Sequence, residues 1–184
     1  MARNLKDAFY NAQYRVGQGI YTRAVSQGDN SLTESNFTAN DTFDTLIEDD
    51  TGALPEFVDS QISMEDAASN SVAMNKVSSS QTAMDAVAAS QTAMDAVAAS
   101  QTARDVIGFS GLAYDTIAAS NLAIGKYAIG YTTESPSDYA DMDAVAASQT
   151  AMDAVIASQL ALDTVVASQT AMDAVIASQL ALDT

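Results

Sequence analysis

The sequence predicts a mainly α, elongated and fibrous protein: a coiled-coil-like stalk of ten-residue repeats behind a small N-terminal segment. The unit Ser80 to Ala89 recurs at Ser90 to Ala99 and continues, with changes, to Thr184. Its Ala, Met and Gln residues favour helix, and each unit has only one or two β-branched residues. Glycine and proline are absent from residues 56–107 and 137–184, so each run is predicted to form one long helix.

Residues 1–60 differ from the repeats and are predicted to attach the protein to a partner. Apolar residues at helical spacing predict an amphipathic helix over about residues 4–24. Four of the seven cations lie in the first 23 residues. Because the segment has few apolar side chains, the core that it could form by itself would be marginally stable. We therefore expect it to fold on another protein. The predicted anchoring residues are Leu5, Phe9, Tyr10, Tyr14 and Arg15.

Two stretches of repeats, 61–107 and 142–184, are predicted to form the stalk. Within each unit Met, Val and the next Gln are spaced 3-4-3, which is typical of a coiled-coil seam. The glutamines would form polar core layers that fix the register. The predicted seam residues are Met74, Val77, Met84, Val87, Met94, Val97, Met152, Val155, Leu162, Val165, Met172 and Val175.

A ten-residue period is difficult for a continuous coil. Ten residues over three turns give about 3.33 residues per turn, against 3.5 in a coiled coil and 3.6 in a free helix. Either the helices overwind steeply, or the Ser-Gln-Thr segment leaves α geometry in every unit, which suits residues that bond to nearby backbone. Side chains alternate between the two faces of a strand, so an even period places equivalent residues of every unit on the same face. A β-layered or β-solenoid-like stalk is therefore the alternative.

Residues 108–141 interrupt the repeat. They contain four glycines, Pro136 and four tyrosines. The position that is methionine in the regular unit is occupied by Arg104, Tyr114 and Ile124 in this part of the chain. Glycine and tyrosine together predict a small knob or a hinge. The alternative is a simple change of register within the stalk.

Charge and composition exclude several classes of function. The chain has 24 acidic residues, 19 of them Asp, against 7 basic ones, so its net charge is −17. This field excludes a general affinity for nucleic acid. A lysine-poor, aspartate-rich composition is typical of halophilic proteins. The repeat itself is another reason for the large number of Asp residues, because it contains one Asp in each regular unit. Cys and His are absent, which excludes thiolate nucleophiles and Ser-His-Asp triads.

No catalytic, cofactor or metal site is predicted. Aspartates ten residues apart lie about 15 Å apart on a helix, too far to share a metal ion, so they are expected to form a solvated face. The most apolar stretch, residues 117–131, is shorter than the roughly 18 residues that span a membrane. We therefore expect a protein that is not an enzyme and has no membrane span.

The iterated Ala-Ser-Gln-Thr-Ala-Met-Asp-Ala-Val-Ala units resemble the decapeptide stalks of tail-fibre proteins of tailed viruses, particularly those that infect haloarchaea. The resemblance implies a homotrimeric fibre in the virion tail, assembled in the host cytoplasm. Its N-terminus would bind tail or baseplate proteins, and a distal tip would bind the host receptor. The chain stops mid-repeat at Thr184, so we expect the stalk and tip to continue beyond it. The alternative is a cell-surface stalk or adhesin-like spacer.

Overall fold

The computed structural model describes residues 42–50 and 52–178, and these ranges form helices joined by short connections. The mainly α prediction is confirmed, and no strand occurs in these ranges, so the β-layered alternative is not supported. The α-helices are α1 (Thr42–Ile47), α2 (Ala53–Val58), α3 (Gln61–Ala68), α4 (Ser71–Ser79), α5 (Gln81–Ala89), α6 (Gln91–Ala99), α7 (Gln101–Phe109), α8 (Gly111–Ala119), α9 (Asn121–Ile129), α10 (Met142–Ala146), α11 (Gln149–Ala157), α12 (Gln159–Ala167) and α13 (Gln169–Ala177).

Each repeat forms one nine-residue helix and one extended serine. Ser90, for example, has φ −96° and ψ 121°, and Ser120 has φ −101° and ψ 121°. The long continuous helices expected over 56–107 and 137–184 are therefore wrong. The alternative, that the chain leaves α geometry in every unit, is confirmed. Each break at the serine relieves the mismatch between the ten-residue period and the 3.6 residues per turn of a helix.

The serine both ends one helix and begins the next. The N–H of Ser100 donates to the carbonyl of Val97 in the last turn of α6. The Oγ of the same serine accepts the N–H of Ala103 at 3.2 Å in the first turn of α7. Serine is among the best N-cap residues, because its hydroxyl satisfies an N–H that has no partner within the helix. Asn70 does the same for α4, with N–H···O distances of 2.9 and 3.1 Å to Val72 and Ala73.

Three helices make one turn of a solenoid. Helices three apart in sequence pack on each other, as in α3 with α6, α6 with α9, and α4 with α7. The serine hydroxyl also donates to a carbonyl one turn earlier, from Ser100 to Ala68 at 2.6 Å and from Ser120 to Ala88 at 3.1 Å. The four corners from Ser90 to Ser120, where one helix ends and the next begins, are thus bonded to the turn beneath them. The described helices form an α-solenoid.

The core runs along the axis of the stack. The fourth residue of each unit from Ala73 onward is alanine wherever the repeat is regular, and it is fully buried at Ala83, Ala93 and Ala123. The side chains of Phe43 in α1 and Phe57 in α2 meet edge to face, with ring centroids 5.7 Å apart. Helix α2 packs on α5, three helices later, and α1 contacts α2 and is joined to α4 by the Lys76–Asp44 ion pair at 2.8 Å.

The departure from the repeat is confined to residues 130–141, here called the strap, because α7, α8 and α9 keep the ten-residue unit up to Ile129. Gly130 stands where a serine is expected, and a Cβ there would lie 2.5 Å from the carbonyl oxygen of Ala98. The strap forms a 3-10 turn at Pro136–Asp138, packs across α6 and α9, and leads into α10.

Beyond the strap the chain circulates around the axis in the opposite sense. Ser158 at the start of α12 bonds to the carbonyl of Tyr131, just after the end of α9, at 2.8 Å. Ser168 at the end of α12 bonds to the carbonyl of Ala118, just before the start of α9, at 2.7 Å. Helix α12 therefore lies antiparallel on α9, whereas the earlier turns stack parallel.

Candidate functional surfaces

The twelve predicted seam residues face the core of a single chain. Nine are buried, and Leu162, Met172 and Val175 in the last turn are half-buried. Packing between turns of one chain thus buries the stripe that was assigned to contacts between chains. The predicted glutamine core layer is wrong, because Gln81 and Gln91 are exposed. Each glutamine directly follows the extended serine, where the chain turns the corner, and points outward.

Four of the outward glutamines bond to the aspartate four residues later: Gln81, Gln149, Gln159 and Gln169. Gln81 donates from Nε2 to Oδ1 of Asp85 at 2.7 Å, and Gln149 does the same to Asp153 at 2.8 Å. Apart from half-buried Asp95, the repeat aspartates from Asp85 to Asp173 are exposed. The solvated-face interpretation is confirmed for them. Across residues 42–50 and 52–178 no three acidic side chains converge into a group that could hold a metal ion.

Lys126 fixes the strap to the solenoid. Its side chain is fully buried, and Nζ lies 2.5 Å from Oδ1 of Asp95 in α6 and 2.8 Å from the carbonyl oxygen of Pro136 in the strap. Beside it is a cleft of about 320 Å³, lined in part by Glu65 and Ser135. A buried ammonium needs such partners, because its desolvation costs several kcal/mol. The equivalent residue is alanine in the regular unit, and it is also lysine at Lys76, which pairs with Asp44 at 2.8 Å.

Arg104 and three tyrosines fill the core next to the strap. Arg104 and Tyr114 occupy the position that is methionine in the regular unit. The guanidinium lies 5.0 Å above the ring centroid of Tyr131 and donates to the carbonyl of Ala98. Tyr131 donates to the hydroxyl of Tyr127 at 3.0 Å, which itself donates to the carbonyl of Arg104 at 2.8 Å.

The hydroxyl of Tyr127 acts here as a neutral hydrogen-bond donor. Burial, followed by the hydrogen bond from Tyr131, raises the pKa of Tyr127 far above its ordinary value of about 10. Burial also raises the pKa of Tyr114, with a smaller effect from Tyr131. Both therefore stay protonated at neutral pH. The cluster is a structural network that holds α7, α9 and the start of the strap together.

Apolar side chains are exposed in the last turn. Ile156, Val166 and Ile176 are 51%, 62% and 58% exposed, and each is the ninth residue of its unit. In the earlier units that residue is small, and it is buried at Ala68 and Ala88. Phe109, at the end of α7, is a separate exposed side chain at 94%.

The five predicted anchoring residues lie outside the described residues.

In the described part of the chain, no single helix is long and apolar enough to cross a membrane. Only the pair α11 and α12, bent by 105° at Ser158, has together the length and composition of a membrane span. The signals that sequence reasoning missed are single substitutions in the repeat, such as lysine at 126 and bulky residues at the ninth position.

No protein-family model matches the chain, and no curated protein matches it.

Proposed function

We propose that this chain is a structural virion protein, a tail fibre whose solenoid acts as a spacer between the virion and the host surface. The observation that supports this is the repeated bond from a corner serine to the carbonyl one turn below, as at Ser110 to Ser78, 2.9 Å. Identical bonds at successive corners make a stack whose length is set by the number of repeats. The resemblance of the repeats to tail-fibre stalks supports the same role.

The solenoid alters the reach expected of such a spacer. A continuous helix would advance about 15 Å per ten-residue unit. Here three units advance the stack by one helix diameter, or about 8–10 Å. The same number of residues therefore gives a shorter and thicker rod with a core of its own. The expected gain is resistance to bending, since every turn is bonded to its neighbour at the corners.

We further propose that residues 1–60 bind tail or baseplate proteins after assembly in the host cytoplasm, and that a distal part binds the host receptor. The homotrimer belongs to the same proposal. The aspartate-rich faces support function in concentrated salt, because screening there reduces the self-repulsion of a −17 chain. Light scattering in molar and in low salt measures the oligomer directly: a trimer of the full chain is expected, and a monomer at all concentrations would contradict it.

Incorporation into virus particles tests the tail-fibre function. The full-length variant Phe9→Ala, Tyr10→Ala, Tyr14→Ala should be absent from purified particles, because it lacks the apolar side of the anchoring segment. Leu160→Thr is the matched control, since it removes an exposed apolar side chain from the solenoid and should incorporate normally. If the unchanged chain is not found in particles by mass spectrometry, the virion proposal is wrong. If the triple variant is incorporated like the control, the anchoring role is wrong.

A further inference from the structure

We propose that Lys126 and Asp95 condense to form an amide bond between Nζ of the lysine and Cγ of the aspartate. The two residues lie on α9 and α6, which pack on each other in neighbouring turns. Nζ of Lys126 donates to Oδ1 of Asp95 at 2.5 Å. Cγ is one covalent bond beyond Oδ1, so the fold holds the nucleophile close to the carbon that it attacks. Orientation of this kind gives a reaction within one molecule an effective concentration far above any reached in solution.

The reaction needs no reagent from outside the pair. A proton first passes from the ammonium of Lys126 to the carboxylate of Asp95 along their hydrogen bond, which leaves a neutral amine and a neutral carboxyl group. Nζ then attacks Cγ, the C–OH bond breaks, and the departing hydroxyl takes one proton from Nζ and leaves as water. One N–C bond forms, one C–O bond breaks, and nothing is oxidised or reduced. Asp95 lines the cleft of about 320 Å³ beside the pair, which gives the water a way out.

Burial favours the amide over the ion pair. The side chain of Lys126 is fully buried, and that of Asp95 is 31% exposed. In water an ionised amine and an ionised acid are both well solvated, and they do not condense. Inside a protein the two charges lose much of that solvation, whereas a neutral amide with a hydrogen-bonded N–H loses much less. The N–H that remains on Nζ keeps its acceptor, because Nζ also lies 2.8 Å from the carbonyl oxygen of Pro136.

Lys76 provides a comparison within the same chain. It occupies the same position of the unit as Lys126, and its Nζ donates to Oδ2 of Asp44 at 2.8 Å. The side chains of Lys76 and Asp44 are 25% and 47% exposed, so both charges keep part of their water. This pair is expected to remain ionic. The two lysines therefore separate the effect of burial from the effect of a lysine beside an aspartate.

The amide fixes the junction at which the winding reverses. It closes a loop of the chain from residue 95 to residue 126, which includes the corners at Ser100, Ser110 and Ser120. Helix α9 is thereby tied to α6 directly before the strap. A cross-link stabilises a protein largely by restricting its unfolded state, as disulfides do. The chain has no cysteine, so an amide between side chains is the kind of cross-link open to it.

The intact mass of the full chain, measured after denaturation, tests the proposal. The unchanged chain should be lighter than its sequence by one water molecule. Lys126→Arg keeps the positive charge but has no amine to acylate, so it should lose no water. Lys76→Arg is the matched control and should still lose water. Asp95→Asn should lose one ammonia instead, because the leaving group is then the amide nitrogen.

Digestion with trypsin locates the bond. Beyond residue 23 the chain has only Lys76, Arg104 and Lys126 as cleavage sites, and trypsin does not cleave after an acylated lysine. The unchanged chain should therefore give one branched product made of residues 77–104 and 105–184. Lys126→Arg should give the linear peptides 77–104, 105–126 and 127–184.

Two results would overturn the proposal. One is that the unchanged chain yields only the three linear peptides at the masses of their sequences. The other is a loss of water that persists in Lys126→Arg, since the water would then come from another site. Neither result depends on how well a variant folds, because the first is read on the unchanged chain. The experiments need no virus particle, so their outcome is independent of the tail-fibre proposal.

Discussion

One hydroxyl per repeat performs two structural roles. At Ser120 the Oγ accepts the N–H of Ala123 at 3.2 Å, which caps α9, and donates to the carbonyl of Ala88 at 3.1 Å, which binds the turn below. Alanine can do neither, and glycine lacks the hydroxyl as well. Serine therefore serves both roles at a corner, although Asn70 and Gly130 occupy two of the corners. The repeat is ten residues long because nine helical residues lie between two corners.

Replacing Ser120 by alanine should lower the free energy of unfolding by about 2 kcal/mol. About 1 kcal/mol comes from the lost cap and a similar amount from the carbonyl of Ala88 that loses its partner. Ser79→Ala is the control, because the exposed hydroxyl of Ser79 bonds only within its own helix, to the carbonyl of Asn75. Urea unfolding followed by circular dichroism measures both variants. Equal midpoints for the two would show that the corner serine does not link the turns.

At the scale of single helices, α9 is the element that changes the winding. Its glycine and lysine, Gly125 and Lys126, replace the Asp and Ala of the regular unit. A Cβ on Gly125 would lie 2.4 Å from the backbone nitrogen of Met142. The absence of a side chain there lets α10 approach α9 closely, and Lys126 holds the strap that leads into α10.

The same substitution should have opposite effects at two glycines. Gly125→Ala should destabilise the protein by at least about 1–3 kcal/mol, because its methyl group meets backbone that cannot move aside easily. Gly111→Ala should stabilise it by about 0.5–1 kcal/mol, since no atom lies within 4 Å of that Cβ and alanine favours helix. Thermal unfolding of both variants gives the comparison. Destabilisation of similar size at both sites would exclude the close approach of α9 and α10 as the cause.

Helix and core could be predicted from the sequence, whereas the connections could not. The methionine and valine positions of the repeat were predicted to be buried, and they are, for example at Met84 and Val87. Their partners were assigned to other chains, because runs free of Gly and Pro were predicted to form long helices. A break at each Ser-Gln-Thr segment was one of the two alternatives, but nothing in the sequence indicated that it folds the chain back on itself. The reversal at the strap was also not predictable, since it depends on contacts between residues far apart, such as Lys126 with Asp95.

At the scale of the whole molecule, the stack is a nearly one-dimensional array in which each turn contacts its neighbours. Every regular unit offers the same cap, the same core residues and the same carbonyl to the next turn. The acidic charge is spread along the outer faces by the repeat, at one aspartate per unit from Asp85 to Asp115. Added units should therefore join the stack without disturbing the ends, provided that the length of each helix is kept.

Two insertions that differ by a single alanine test this requirement. A copy of residues 81–90 inserted after Ser80 adds one helix and one corner, and each following serine still meets a carbonyl one turn below. The urea midpoint should stay the same or rise, because stability in such arrays is roughly a sum over units and their interfaces. The same insertion with one additional alanine before its serine makes that helix ten residues long.

The longer helix should disrupt the stack. One further helical residue rotates the exit from that helix by about 100° and advances it by 1.5 Å. All following turns would then lose their register with the turns before, including the corner bonds and the burial of the Met and Val side chains. A drop in urea midpoint and loss of a single cooperative transition are expected for the eleven-residue insertion alone. If both insertions unfold like the unchanged chain, the nine-residue helix does not set the geometry of the solenoid.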